Sequence, residues 1–286
     1  MARLTALHAV VATTQTANPL RLSRGDVVGM FTTAHAWFLR ARAAYSNEAL
    51  LYPTLSFDLL RAGGASQLHP HLQPHLARGR YPGRWESVRL AACAAAAAET
   101  TTTTMTSPAD APSSSSSYYE ELALLHTQMG LQIGHTGHFV AFVTLTSAAS
   151  GVEISILGDS EPPLERSARS EELARDLGAL FYSVLHAAHA ALGWAAFSAS
   201  CAFPVMAPPS AVVEGATDDR ATHAPQRSAQ QQQQQHGLPR YCKLVARGQG
   251  VAEAATSDVS ANELYEVPVV STDLFEAAAL LRAAIG

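Results

Sequence analysis

Three histidines fall within seven residues, at His69, His71 and His75, with Gln73 between the last two. If the segment is extended, positions 69, 71, 73 and 75 share one face of a strand, because side chains alternate with a period of two. Just upstream stand Gly63, Gly64, Ala65 and Ser66. Glycines there let the backbone approach a ligand closely, and successive N–H groups can form an anion-binding concavity. The set gathers phosphate donors, a hydroxyl, imidazoles and a carboxamide around one point. It suits transfer at phosphorus: a neutral imidazole attacks, and the phosphoramidate that results is cleaved by a second acceptor. Gln73 and Ser66 would hold the non-bridging oxygens as charge develops, and His69 would orient the neighbourhood of the nucleophile. Two other readings stay open. Imidazoles two apart on a strand can share a zinc ion, as in a metal-dependent hydrolase. The segment could equally be a surface strand on which histidines are tolerated.

The remaining sequence supplies elements to hold these residues. Strand patterns run over Leu4–Thr13, Leu50–Asp58, His138–Thr146, Val152–Leu157, Ala195–Phe203, Tyr241–Ala246 and Leu264–Val270. Val27, Phe31, Ala34 and Phe38 recur at helical spacing and predict a helix from about Asp26 to Tyr45. Ser170 with Glu171 and Glu172 opens a long helix with a stripe through Leu173, Leu177, Phe181 and Val184. Thr272-Asp273 caps a last helix through Leu274, Ala278, Leu281 and Ile285. Without regular β-α-β alternation, the pattern favours an α+β fold with an antiparallel sheet. Two low-complexity tracts, at about 93–117 and 207–238, are read as disordered insertions in a single domain spanning 1–286. His135 and His138 read as loop residues, His186 and His189 as a solvated helix edge, and the three tryptophans as core anchors.

Composition narrows the functional classes. Among 286 residues only 15% are charged and the formal net charge is −5. No basic excess exists to neutralise a nucleic-acid backbone, so nucleic acid is not an expected partner. No apolar run approaches the ~20 residues needed to span a bilayer, so no membrane partner is expected either. The start lacks a secretory pattern. Cys93, Cys201 and Cys242 read as separated thiols, and a reducing cytoplasm is the default compartment.

Residues 64–73, GASQLHPHLQ, resemble the active-site signature of galactose-1-phosphate uridylyltransferases and their relatives in the histidine-triad superfamily. Those relatives include dinucleoside tetraphosphate phosphorylases and ADP-sugar phosphorylases. The matched positions are Gly64, Ala65, Ser66, His69, Pro70, His71 and Gln73. The resemblance implies a histidine-triad-like antiparallel sheet with packed helices. It also implies a nucleotidyltransferase or phosphorylase that carries a nucleoside monophosphate covalently on His71. Gln73 would bind the phosphoryl group and Ser66 would contact a phosphate; the turn and the strand alternation read above add Gly63, Gly64 and His75 to the expected phosphate-binding set. The substrate would be a nucleotide or sugar nucleotide, no cofactor is implied, and a homodimer is left open. In many relatives the first histidine supports a structural zinc through an early cysteine pair and another histidine. Those partners are absent, so no metal is expected at His69. The family position thirteen residues before the nucleophile, usually asparagine, is Asp58. By the same resemblance the sequence begins inside the family's layout, near the strand before the first helix. Hence the alternative of a catalytically impaired nucleotide-binding relative.

Overall fold

The structure, a computed structural model, describes residues 6–13, 21–45, 49–103, 117–147, 151–159, 164, 167–208, 238–247 and 273–286. Two short strands, β1 (Leu7–His8) and β2 (Val11–Ala12), precede helix α1 (Arg24–Ala44). Then come β3 (Leu51–Leu59), β4 (His71–Arg78), α2 (Arg84–Thr103) and α3 (Tyr118–Gln128). Strands β5 (Gln132–His135), β6 (Phe139–Val143) and β7 (Glu153–Gly158) lead into α4 (Ala168–Leu192). The chain closes with β8 (Phe197–Ala202), β9 (Tyr241–Ala246) and α5 (Leu274–Ile285). The strands join in one antiparallel sheet of order β1-β4-β3-β8-β9-β7-β6-β5, with β2 also pairing β4. The expected α+β class holds.

Alternation along each strand divides the side chains between two faces. Leu55, Phe57 and Leu59 of β3, Leu72 and Leu76 of β4, and Cys242 and Leu244 of β9 enter the main core. There they meet Val27, Phe31 and Phe38 of α1, Leu177, Phe181 and Val184 of α4, and Ala278 and Leu281 of α5. Helices α1 and α4 touch closely because Gly178 has no side chain. A Cβ there would stand 3.0 Å from Val28 Cα. The opposite face is apolar only at one end of the strands. Tyr52, Ala77, Ala202, Tyr241 and Leu157 pack there beneath Tyr81, Trp85 and Tyr119. Toward the other end the same face turns polar, with Ser56 opposite both Gln73 and Ser200, and Ser200 opposite Lys243. Trp85 Nε1 donates to Ser200 Oγ at 2.8 Å, where the apolar roof meets this polar row.

Three expectations change. Helix α2 runs to Thr103, so the tract read from 93 begins as helix with Cys93 buried. Alanine sustains a helix without large apolar residues, because it loses no side-chain entropy on ordering. Residues 104–116 and 209–237, and the strand expected at Leu264–Val270, lie outside the described residues. Second, the stretch expected as one strand over Leu4–Thr13 forms two short ones. Third, Cys201 and Cys242 are not separate thiols. They stand opposite each other in β8 and β9 and are joined by a disulfide. Strand register brings together residues 41 apart, which cysteine spacing alone does not encode. Cys93 keeps its thiol.

Candidate active site

The polar end of the second face is built from the start of β4, the end of β3 and the start of β8. His71 opens β4 and is 8% exposed. Its Nδ1 lies 2.8 Å from the His69 carbonyl oxygen. A carbonyl can only accept, so Nδ1 carries the proton and Nε2 presents a lone pair. Gln73, two residues on and on the same face, places its Nε2 3.4 Å from His71 Nε2. The carboxamide therefore stands beside the one imidazole atom able to act as a nucleophile.

His69 departs from the expected arrangement. It precedes the strand and does not share the alternation of positions 71, 73 and 75. Its Nε2 lies 2.7 Å from the Thr13 carbonyl oxygen and 3.2 Å from Thr13 Oγ1, which fixes Nε2 as the protonated nitrogen. Thr13 also donates its backbone N–H to the Pro70 carbonyl. The first histidine thus ties the motif to the segment leaving β2. With His69 Nε2 and His71 Nδ1 both donating to carbonyls, these two atoms are not free to ligate a metal. Among the described residues no cluster of three or more His, Cys, Asp or Glu side chains could hold one.

The glycine turn also works differently from expectation. Gly63 N donates to Leu60 O, Gly64 N to Arg61 O, and Ala65 N to Leu60 O, all within the turn. These three amides are spent on the turn's own closure and do not form an anion cradle. Gly63 is instead required by packing, since a Cβ would lie 2.3 Å from Leu59 O and 2.4 Å from Phe197 O. Gly64 has φ +91°, and a Cβ there would stand 3.7 Å from Asp58 Cγ. Ser66, exposed, is the turn's remaining hydroxyl toward solvent.

Two residues at this end were not singled out from sequence. Ser198 is the cross-strand partner of Asp58, and its hydroxyl donates to Gly63 O at 2.7 Å. Arg247 follows β9, its backbone N–H held by Ala196 O. Burial raises the Asp58 carboxyl above its ordinary range, while the adjacent Ser198 hydroxyl, the charge of Arg247 and, in its protonated form, His71 pull the other way. Asp58, His71 and Arg247 therefore form one electrostatic neighbourhood. The sequence signal for Ser198 was the alternation of Phe197, Ala199 and Cys201 toward the core, which leaves positions 198 and 200 on the site face.

His75 lies four residues along β4 from His71, roughly 13 Å at strand rise. It stacks on His8 of β1 with ring centroids 4.4 Å apart. Burial, and then the His8 charge, hold it below the usual histidine range. The structure places it between His8 of the edge strand β1 and Thr54 of β3, rather than beside His71. Elsewhere His189 Nδ1 lies 2.7 Å from Trp194 O, closing the end of α4. His126, which sequence reading passed over, is buried, with Nδ1 on Leu122 O and Nε2 accepting from Leu145 N.

This sheet, with α1, α4 and α5 packed on one face and α2 and α3 over part of the other, has the fold of solved uridylyltransferases and of an ADP-glucose phosphorylase. A solved uridylyltransferase superposes with a TM-score of 0.64 at 16% identity, over 99% of this chain and 77% of its own. An ADP-glucose phosphorylase from Arabidopsis thaliana, solved with ADP-glucose bound, gives 0.59 at 16% over 97% and 72%. A galactose-1-phosphate uridylyltransferase-like protein from the same plant gives 0.59 at 15% over 97% and 75%. At these identities the likeness establishes the fold. No family model and no curated protein matches the sequence. No helix among the described residues is long and apolar enough to cross a membrane.

Proposed function

We propose that the chain is a nucleotidyltransferase or phosphorylase acting on a nucleotide or sugar nucleotide through a covalent intermediate on His71. In the first step His71 Nε2 attacks the α-phosphorus of the donor. The N–P bond forms as the P–O bond to the departing phosphate breaks, and that group leaves with the electron pair. Positive charge then builds on the imidazole, where the Nδ1–H donated to His69 O stabilises it. In the second step an oxygen of phosphate or of a sugar phosphate attacks phosphorus, and the N–P pair returns to Nε2. Gln73 serves as the donor to a non-bridging oxygen in both steps, and Ser66 contacts a neighbouring phosphate.

The observation that carries this reading is the 2.8 Å contact between His71 Nδ1 and His69 O, which frees Nε2 beside Gln73. Neighbours of the same fold include a uridylyltransferase and a phosphorylase with ADP-glucose bound, which supports the substrate class. Intact mass spectrometry after incubation with UDP-glucose, ADP-glucose, GDP-glucose or dinucleoside tetraphosphates tests it. The expected result is an added nucleoside monophosphate on His71, labile to acid and absent in His71→Ala. Gln73→Ala should slow its formation about a hundredfold, the usual loss for one transition-state donor. No adduct with any donor, in the natural chain and in Asp58→Asn alike, would overturn the reading in favour of a nucleotide-binding relative without catalysis.

A further inference from the structure

On the face of the sheet that carries α1, α4 and α5, opposite to His71, a cleft of about 510 Å³ lies between α1 and α4. Thr32, His35, Ala36, Leu39 and Arg40 line it from α1, and Glu171 and Arg175 from α4. The α1 residues recur at the three- and four-residue intervals of one helix face. Beyond the close contact at Gly178, the first turns of α4 thus face the second half of α1. A cleft of this size accommodates a small molecule.

His35 is 4% exposed, yet it lines this cleft. Its Nε2 lies 2.9 Å from Ser170 Oγ, and Arg240 Nη2 donates to the same oxygen at 3.0 Å. A guanidinium can only donate, so Ser170 Oγ accepts from Arg240 while standing within hydrogen-bond distance of His35 Nε2. Burial and the Arg240 charge favour the neutral ring, Glu171 opposes them, and the result is a histidine held near 4. The buried His35 ring that lines the cleft therefore stays neutral at ordinary pH. Above it Arg40 and Arg175 supply two guanidiniums, against one carboxylate, Glu171, 3.6 Å from Arg175. Ala36 and Leu39 add an apolar wall.

We propose that the α1–α4 cleft is a second ligand site, separate from the His71 centre, which takes a small phosphate monoester with an apolar body. The phosphate would lie between Arg40 and Arg175, beside the neutral His35 ring, because guanidinium groups bind phosphate in paired, charge-assisted geometry. The body would rest on Ala36 and Leu39. The Glu171 carboxylate holds Arg175 and disfavours a ligand with a second anionic group on that side.

Phenyl phosphate is a suitable probe, followed by ¹H–¹⁵N NMR on the full chain, with benzoate and inorganic phosphate as comparison arms. Expected are shifts confined to 32–40 and 171–175, with weaker binding of benzoate and of inorganic phosphate. Arg40→Gln with Arg175→Gln should weaken binding about tenfold or more, and both sites are exposed enough for the fold to tolerate the change. His71→Ala should leave this binding unchanged, which separates it from the nucleotide site. Shifts confined to 69–73, unaltered affinity in the double arginine variant, or no saturable binding at millimolar phenyl phosphate would each overturn the proposal.

Discussion

His69 Nε2 and the Thr13 carbonyl oxygen, 56 residues apart in sequence, meet at 2.7 Å. The histidine that stands beside the nucleophile in sequence is, in space, a strut between the motif and the segment leaving β2. His69→Ala should therefore lower stability by about 1 kcal/mol, the typical net worth of a hydrogen bond. It should also slow His71 labelling without abolishing it, and His69→Gln should recover part of both. Urea unfolding and timed intact-mass measurements check the pair of effects.

Asp58→Asn tests the electrostatics of the site. A carboxyl raised above its ordinary value near 3.8 stabilises the fold below that value. The contribution is lost as pH rises through the raised value. The natural chain should therefore lose stability over a window starting at about pH 4, and Asp58→Asn should show a flatter profile there. At neutral pH the same variant should label faster, because a negative charge beside the entering phosphate is removed. A steeper stability profile or slower labelling would show that the carboxylate is needed where it stands.

Gly63→Ala should be among the most damaging small substitutions in the chain. Its Cβ would meet two backbone oxygens that belong to β3 and β8 and cannot move without opening the sheet. A loss of about 3 kcal/mol or more is expected, the range for severe overpacking. Gly79→Ala, whose Cβ would meet nothing within 4 Å, is the comparison for a glycine of positive φ in open space. Chemical denaturation of both variants decides between packing and turn strain as the reason for glycine.

Replacing 104–116 and 209–237 by short Gly/Ser linkers should change the melting temperature by less than about 4 °C, since loop length alters closure entropy only slowly. A larger fall would mean that one of these tracts packs on the domain. The same replacement begun at 94 should cost more, because it would delete the end of α2 just beyond the buried Cys93.

Strands with clear alternation were legible in sequence: β9 lies at Tyr241–Ala246 as read. Its two faces, Cys242 and Leu244 against Tyr241 and Lys243, obey a period of two. Helix α2 was missed because its large residues are few. Yet Trp85, Arg89 and Cys93, four apart and all buried, mark one face that a search for mixed polar and apolar stripes would find. In the site, His71 and Gln73 were readable because they belong to one strand. The displacement of His69, the closure of the glycine turn on itself and the approach of Ser198 depend on contacts between distant segments. Local spacing carries no record of these.

The disulfide between Cys201 and Cys242 has a consequence for the long tract that it encloses. A protease cutting anywhere between the two cysteines would sever the peptide chain, but the fragments would stay covalently joined. A nicked molecule would migrate as one species without reductant and separate into two with it. The strands β8 and β9 would keep their register on both sides of the cut. Continuity of the backbone through that tract and integrity of the sheet beside His71 are thus separate properties of this molecule.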